Sequence, residues 1–341
     1  MIDLRSDTVT RPTQPMLEAM MKAKVGDDVF GEDPTVKDLE EKTARLFGME
    51  AGLFCPSGTM TNQIAIRAQT QPQQEIICDQ CSHIYVYEGG GIAYNSLVST
   101  RLLKGERGIL TADMVEENIN DDNIHFPETS LVSLENTVNK GGGACYSLDQ
   151  IKAIYEVCQR HQLALHLDGA RVFNAQAATG NSPEQYGKYF SSISVCLSKG
   201  LGAPVGSVLV GSQELIRKAR RIRKVFGGGM RQAGYLAAAG IYALDHHVAR
   251  LHEDHHRAKV LADALQQRNF VKSVLPVQTN IVIATLQNIT PQHFLSQLEA
   301  EGVKAVAFGK QDVRFVTHLD FTDEQLEKVL GALKKVDRQP A

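Results

Sequence analysis

Apolar positions along this chain follow two rhythms. Short runs at Gly52–Cys55, Ile76–Cys78, Leu131–Leu134, Leu163–Leu167, Ile193–Leu197 and Ser207–Val210 read as buried strands. Between them the spacing turns helical. Asp33-Pro34-Thr35 opens a helix with a capping side chain and a proline in the first turn, Val36, Leu39, Thr43, Leu46 and Phe47 share one face, and Gly48 closes it. Ser147-Leu148-Asp149-Gln150 is a capping box ahead of the amphipathic stretch Ile151–Gln159. Strands separated by helices predict an α/β fold with a mainly parallel sheet covered on both faces. A helical tract then runs from Met230 to Gln267, followed by a different rhythm: strands at Val277–Leu286 and Val313–Val316, helices at Pro291–Glu301 and Thr322–Val336. This predicts a small α+β unit at residues 248–341 after a large one at 1–247.

Bulk properties narrow the setting. A length of 341 residues suits one large and one smaller domain, and 43% hydrophobic with 22% charged residues is ordinary for a globular enzyme. A net charge of -3 offers no overall attraction to nucleic acid or an anionic membrane. The first residues, Met1-Ile2-Asp3-Leu4-Arg5-Ser6-Asp7, have neither the basic nor the apolar region of a signal peptide, and no apolar run approaches a membrane span. Six scattered cysteines fit reduced thiols in a cytoplasmic protein.

The chemistry concentrates in two segments, His166-Leu167-Asp168-Gly169-Ala170-Arg171 and Cys196-Leu197-Ser198-Lys199-Gly200. In each, a predicted strand delivers polar residues at its C-terminal end, where open α/β sheets place their ligand crevices. Pyridoxal phosphate needs a lysine to carry it as a Schiff base and an acid to keep its ring nitrogen protonated, and Lys199 and Asp168 supply that pair. Pro56-Ser57-Gly58-Thr59 follows a strand and opens a helix, which presents free N–H groups to an anion such as a phosphate. His83, on the next strand-to-helix connection, is placed to stack on a cofactor ring.

At this point the chain resembles the threonine aldolases. The resemblance is carried by Met1–Thr10, Val25–Pro34, Ser57-Gly58-Thr59, His83, His166–Arg171, Leu197–Gly202, Gly227-Gly228-Gly229-Met230-Arg231-Gln232 and Val313–Leu319, in order over nearly the whole chain. It implies an aspartate-aminotransferase-like fold and pyridoxal phosphate on Lys199. Asp168 would face the ring nitrogen and His83 would stack on the ring. Ser57, Gly58 and Thr59 would stand at the phosphate, and Ser198, Arg171, Lys224 and Arg231 would also contact the cofactor. Arg171, Arg314 and Ser6 match the groups that grip a substrate carboxylate, a task suited to a guanidinium fork. Lys224 and Arg231 match basic residues brought near the site, in part across a subunit boundary, and Tyr87 and His125 match positions on the substrate side-chain region. His83, His125 or a water held by them would take the β-hydroxyl proton. The implied reaction cleaves L-threonine, L-allo-threonine and related L-β-hydroxy-α-amino acids to glycine and an aldehyde, in a homo-oligomer built as a dimer of dimers. Because a fold does not fix a reaction, a β-eliminating or serine hydroxymethyl-type enzyme is the alternative. One departure stands out: the family reads Glu-Asn-Thr-His-Asn where this chain has Glu135-Asn136-Thr137-Val138-Asn139, which is expected to loosen control of the β-carbon.

Other motifs lead elsewhere. His252-Glu253-Asp254-His255-His256 spells a zinc-hydrolase string, but a catalytic zinc needs a third ligand, and the two outer histidines flank the apolar stripe of a predicted helix. No metal is expected. Cys78-Asp79-Gln80-Cys81 lacks a second pair. The basic run Arg217–Lys224 reads as a solvated helix face with phosphate or interface contacts rather than a nucleic-acid surface.

Overall fold

The computed structural model describes residues 1–337; residues 338–341 of the expected second unit lie outside the described residues. A seven-stranded sheet forms the larger part, in the order Ala51–Cys55, Ser207–Gly211, Ser192–Cys196, Ala164–Gly169, Thr129–Glu135, Glu75–Asp79, Ser99–Leu103. Ser207–Gly211 runs antiparallel to both its neighbours and the remaining pairs are parallel. The central strands are buried along nearly their whole length, which is why they read as apolar runs rather than alternating ones. The edge strand Ser99–Leu103 escaped the sequence reading because most of it is half-buried or exposed and its side chains are mixed.

Helices close as their caps predict. Asp33 caps Pro34–Leu46 by accepting from Val36 N, and the Ser147/Gln150 box caps Leu148–Arg160. The tract Met230–Gln267 is two helices, Gly234–His246 and Leu251–Gln266. Between them His247 turns inward and its Nδ1 donates to the Leu201 carbonyl at 2.7 Å, a tertiary bond that no periodicity could reveal. Leu251 packs into the large core of the seven-stranded sheet, whereas Ala258, Leu261 and Leu265 pack into a second core with Phe294, Phe315 and Val329.

A four-stranded antiparallel sheet, ordered Val306–Ala307, Asp312–Val316, Ile281–Leu286, Val271–Val274, backs that second core. The expected strand from Val277 starts only at Ile281. Thr279 and Asn280 are diverted to bond Gly143 O, Asp7 and Thr317 O. The N-terminal strand Ile2–Asp3 pairs in parallel with Val303–Lys304, and Leu4 is buried in the second core. Residues Ile2–Leu4 therefore pack toward the second core, while Met16 further along lies in the large one.

Candidate active site

Three parallel strands end in carboxylates at one edge of the large sheet: Asp79, Glu135 and Asp168, with Glu135 and Asp168 directly in register. Lys199 follows the adjacent strand Ser192–Cys196 by three residues. Opposite this edge, the N-terminal segment and the small sheet contribute Ser6, Thr8, Val306, Ala307, Phe308 and Arg314. Together with His83, Tyr87, Glu135, Asn139, Arg171 and Lys199 they line a pocket of about 350 Å³, within the range for small-molecule sites. Of the residues singled out in the sequence, this pocket gathers Ser6, His83, Tyr87, Arg171, Lys199 and Arg314.

Arg171 is buried and its Nε and Nη2 donate to Asp7 Oδ2 and Oδ1, both at 2.7 Å. Burial alone would raise the Asp7 pKa, but the Arg171 guanidinium brings it down to about 2. Asn280 Nδ2 adds a bond to the same carboxylate at 3.2 Å. The forked pair fixes the plane of Arg171, which lines the pocket. Arg314 donates through Nη1 to Asn139 Oδ1 at 2.7 Å and through Nη2 to Arg5 O at 2.9 Å, while its buried Nε has no partner among the described residues. Burial, helped by repulsion from Arg171, pushes the Arg314 pKa down to about 10. Two guanidinium groups held this close, with donors to spare, suit an anion between them. Thr10 Oγ1 also donates to Lys199 O at 3.0 Å, tying the N-terminal segment to the lysine loop.

Asp168 does not reach the pocket lining, but one helix connects it with the phosphate motif. In Gly58–Gln69, Asn62 Nδ2 donates to Asp168 Oδ2 at 3.0 Å. Gly58 lies one turn toward the N-terminus, about 6 Å along the axis. Ser57 caps that helix. A Cβ added to Gly58 would come within 3.4 Å of Ser207 Oγ, a buried hydroxyl with no partner. The cap takes up the Met60 N–H; the helix N-terminus beside an orphaned hydroxyl fits a phosphate, and Asp168 one turn away fits a ring nitrogen. Ser198 is half-buried beside Lys199, its Oγ 3.6 Å from Cys196 Sγ.

Behind the pocket, His83 Nδ1 lies 3.0 Å from Glu88 Oε1, and its ring centroid is 5.5 Å from that of Tyr87. Glu135 accepts backbone N–H groups from His83 at 2.7 Å and Asn139 at 2.8 Å. Burial, with Asp168 beside it, pushes the Glu135 pKa up to about 7.

Asp168, Ser57, Gly58, Thr59 and Ser198 stand outside the lining but next to it in the fold, and three further expected residues lie elsewhere. His125 is exposed in the loop before Thr129–Glu135, its backbone N–H bonded to Asn123 Oδ1 at 3.0 Å. Lys224 is exposed at the end of helix Gln213–Val225 and lines a separate groove against Pro34–Leu46. Arg231 is exposed and pairs with Asp27 at 2.8 Å. Val138, where the family has histidine, is buried in the large core against Gly108 and Gly141, and it does not line the pocket. In the zinc-like string, His252 and His256 are exposed, while His255 is buried against Asn174 at 3.2 Å.

Asp7, Asn62, Glu88, Glu135, Asn139 and Ser207 were not singled out as site residues. Asp7 and Glu88 sit beside recognised residues, but their partners are far away in sequence. Pairings such as Asn62 with Asp168 carry no local signal.

Comparison with known proteins agrees with this geometry. Residues 3–289 match the model of the beta-eliminating lyase family. The low specificity L-threonine aldolase of Escherichia coli (strain K12) is 44% identical over 330 residues, covering 96% of this chain and 97% of that one. The low-specificity L-threonine aldolase 1 of Arabidopsis thaliana is 41% identical over 343 residues, 98% of this chain and 96% of that one. The solved structure of a threonine aldolase from Leishmania major superposes with a TM-score of 0.86 at 19% identity, covering 99% and 100% of the two chains. The chain therefore belongs to the beta-eliminating lyase family of pyridoxal-phosphate enzymes, among the low-specificity L-threonine aldolases.

Proposed function

We propose that the protein is a carbon–carbon lyase that cleaves L-threonine, L-allo-threonine and related L-β-hydroxy-α-amino acids to glycine and an aldehyde. The observation that carries the reading is a single pocket holding Lys199 beside two guanidinium groups, Arg171 and Arg314, with Ser6 between the N-terminal segment and the sheet edge. Lys199 would hold pyridoxal phosphate through Nζ. Asp168 would face its ring nitrogen, His83 its ring, and Ser57, Gly58, Thr59 and Ser198 its phosphate. When bound, the cofactor supplies a sink for the electron pair left on Cα when Cα–Cβ breaks.

The chain's own residues do the rest. Arg171 and Arg314 grip the substrate carboxylate, and the amino group is anchored near Lys199. With two of the four Cα substituents fixed, only the L-enantiomer can present Cα–Cβ in the reactive direction. His83 Nε2, directly or through a water, takes the β-hydroxyl proton as the aldehyde departs. Tyr87 flanks the side-chain region. Control of the β-carbon rests on few groups, and one neutral hydrogen bond contributes about 0.5–1.5 kcal/mol, so discrimination between β-epimers should not exceed roughly tenfold.

We read residues 1–247 and 248–341 as the two units that enclose this pocket, with Ile2–Asp3 packed on the second. The reading extends to a homotetramer, a dimer of dimers, in which Lys224, Arg231 and His125 complete a partner's site. Support comes from bare apolar side chains near these residues: Phe30 is 74% exposed, Val225 79% and Ile124 98%. In the chain's described residues no helix is long and apolar enough to cross a membrane, in keeping with a cytoplasmic role in threonine breakdown and glycine biosynthesis. Initial rates on the four threonine stereoisomers test the function. Glycine and acetaldehyde should form from L-threonine and L-allo-threonine only. Equal turnover of D-threonine, or pyruvate and ammonia in place of glycine, would overturn it.

A further inference from the structure

The hydrogen bonds behind His83 can be assigned a direction one after another, starting from His166. That ring is fully buried, and burial pushes its pKa down to about 4 against the pull of Asp168, so at neutral pH it carries one N–H. Its Nδ1 lies 2.8 Å from Ser192 Oγ and its Nε2 lies 3.1 Å from Asn62 Oδ1. An amide oxygen only accepts, so the His166 proton is on Nε2 and the Ser192 hydroxyl donates to Nδ1. With its oxygen committed, Asn62 has two protons on Nδ2, and two carboxylates receive them: Glu88 Oε1 at 2.9 Å and Asp168 Oδ2 at 3.0 Å. Flipping the amide would set its oxygen against both carboxylates, so the orientation is fixed.

Glu88 is the next link. Its side chain is fully buried, and besides Asn62 it faces Gln63 Nε2 at 2.6 Å and His83 Nδ1 at 3.0 Å. A carboxylate has no proton to give, so His83 Nδ1 must be the donor. In the neutral ring the lone pair is then on Nε2, which bonds no protein group among the described residues while the ring lines the pocket with Lys199.

We propose that Asn62 and Glu88 are positioning residues: their one-way hydrogen bonds hold the His83 proton on Nδ1, present Nε2 to the pocket as an acceptor, and tie the same amide to Asp168. This rests on the reading of the Lys199 pocket as the reaction site. The arrangement couples the two sides of the chemistry, because one amide orients both the carboxylate at the ring nitrogen and, through Glu88, the imidazole that accepts the proton. When Nε2 takes the β-hydroxyl proton, the O–H bond breaks, an N–H bond forms, and the positive charge on the ring is matched by Glu88. Networks of this kind act as a unit, so a change at either positioning residue is felt at His83 without touching substrate.

The test is long-range proton–nitrogen NMR of holoenzyme labelled with ¹⁵N-histidine, with His83 assigned from its absence in His83→Phe. The wild type should show a protonated Nδ1 and an acceptor Nε2. In Glu88→Leu no acceptor faces Nδ1, and the preference for Nδ1–H should be lost, with kcat lower by about a hundredfold and KM within about threefold. Glu88→Asp should retain the wild-type pattern and most of kcat. A wild-type His83 protonated on Nε2, or a Glu88→Leu variant with the wild-type pattern, would overturn the proposal. Should Glu88→Leu fail to fold, the wild-type and Glu88→Asp spectra decide it alone, with the Nδ1–H pattern required in both. The spectrum does not depend on turnover, so a protein with this tautomer that makes no glycine from threonine would sink the proposed function and leave the assignment of His83 standing.

Discussion

Two basic faces of this molecule are built on the same foundation and finished differently. Behind Lys199 lies the buried pair Arg171–Asp7, and behind Lys224 lies the buried pair Arg223–Asp28, each at 2.7 Å. Around Lys199 the chain closes on itself: the sheet edge, the N-terminal segment and the small sheet meet around one pocket. Around Lys224 nothing closes. Lys224 and Arg231 are exposed, and Phe30 and Val225 stand bare beside them. A buried ion pair costs desolvation and contributes little net stability, so it is better understood as fixing geometry. One face thus encloses a pocket for a small ligand, and the other stays open in the single chain, where the proposed assembly would cover it. This is why the residues expected at one active site fall into two groups within a single chain.

The largest expected effect separates the enclosed face from everything else. Asp168→Asn should lower turnover on the order of a thousandfold, because an amide cannot hold a positive charge on the ring nitrogen, while the cofactor stays bound. Steady-state kcat on L-threonine checks this, and near wild-type turnover in a cofactor-loaded variant would remove Asp168 from the account.

The next effect probes the open face. Val225→Asp places a charge on bare apolar surface and should shift the sedimenting species to smaller assemblies. If Lys224 and Arg231 serve a partner's cofactor, two charge-assisted hydrogen bonds of about 1.5–3 kcal/mol each are lost, and cofactor affinity should fall at least about a hundredfold. A dissociated variant with unchanged affinity would show that the Lys199 face is complete in one chain.

The smallest effect concerns stability. Burial holds His255 down to about 4 from an ordinary 6.5. A depressed histidine binds fewer protons folded than unfolded, so its contribution is fully present above about pH 6.5 and is lost as pH falls toward 4, by at most about 3 kcal/mol. Asp7 acts lower: its contribution is present above its ordinary 3.8 and is lost toward pH 2. Glu135 works in the opposite sense, since a raised carboxyl favours the folded state most below its ordinary 4.5 and loses that advantage as pH rises to about 7. Urea midpoints between pH 4 and 7 for wild type and His255→Gln should differ most at neutral pH and converge in acid. Parallel curves would contradict the burial argument.

What the sequence disclosed follows from where the signals are written. Strand ends such as Asp168 and loops such as Ser198-Lys199 carry their chemistry locally, and caps such as Asp33 and Ser147 are local too, so these are legible. The division of Met230–Gln267 was not, because it depends on a bond between His247 and Leu201. Asp7 went unassigned between Ser6 and Thr8, although it fixes Arg171, because its partner is 164 positions away. Val138 was expected to bear on the β-carbon, yet its side chain packs into the core. A residue type at a motif position does not show which way the side chain points.

The account rests on Lys199 as the group that carries the cofactor. Borohydride reduction of the holoenzyme followed by peptide mapping measures this directly. The pyridoxyl mass should appear on the peptide containing Leu197-Ser198-Lys199-Gly200, in stoichiometric yield and with loss of activity. Label on Lys224, or no label on a cofactor-loaded enzyme, would contradict it.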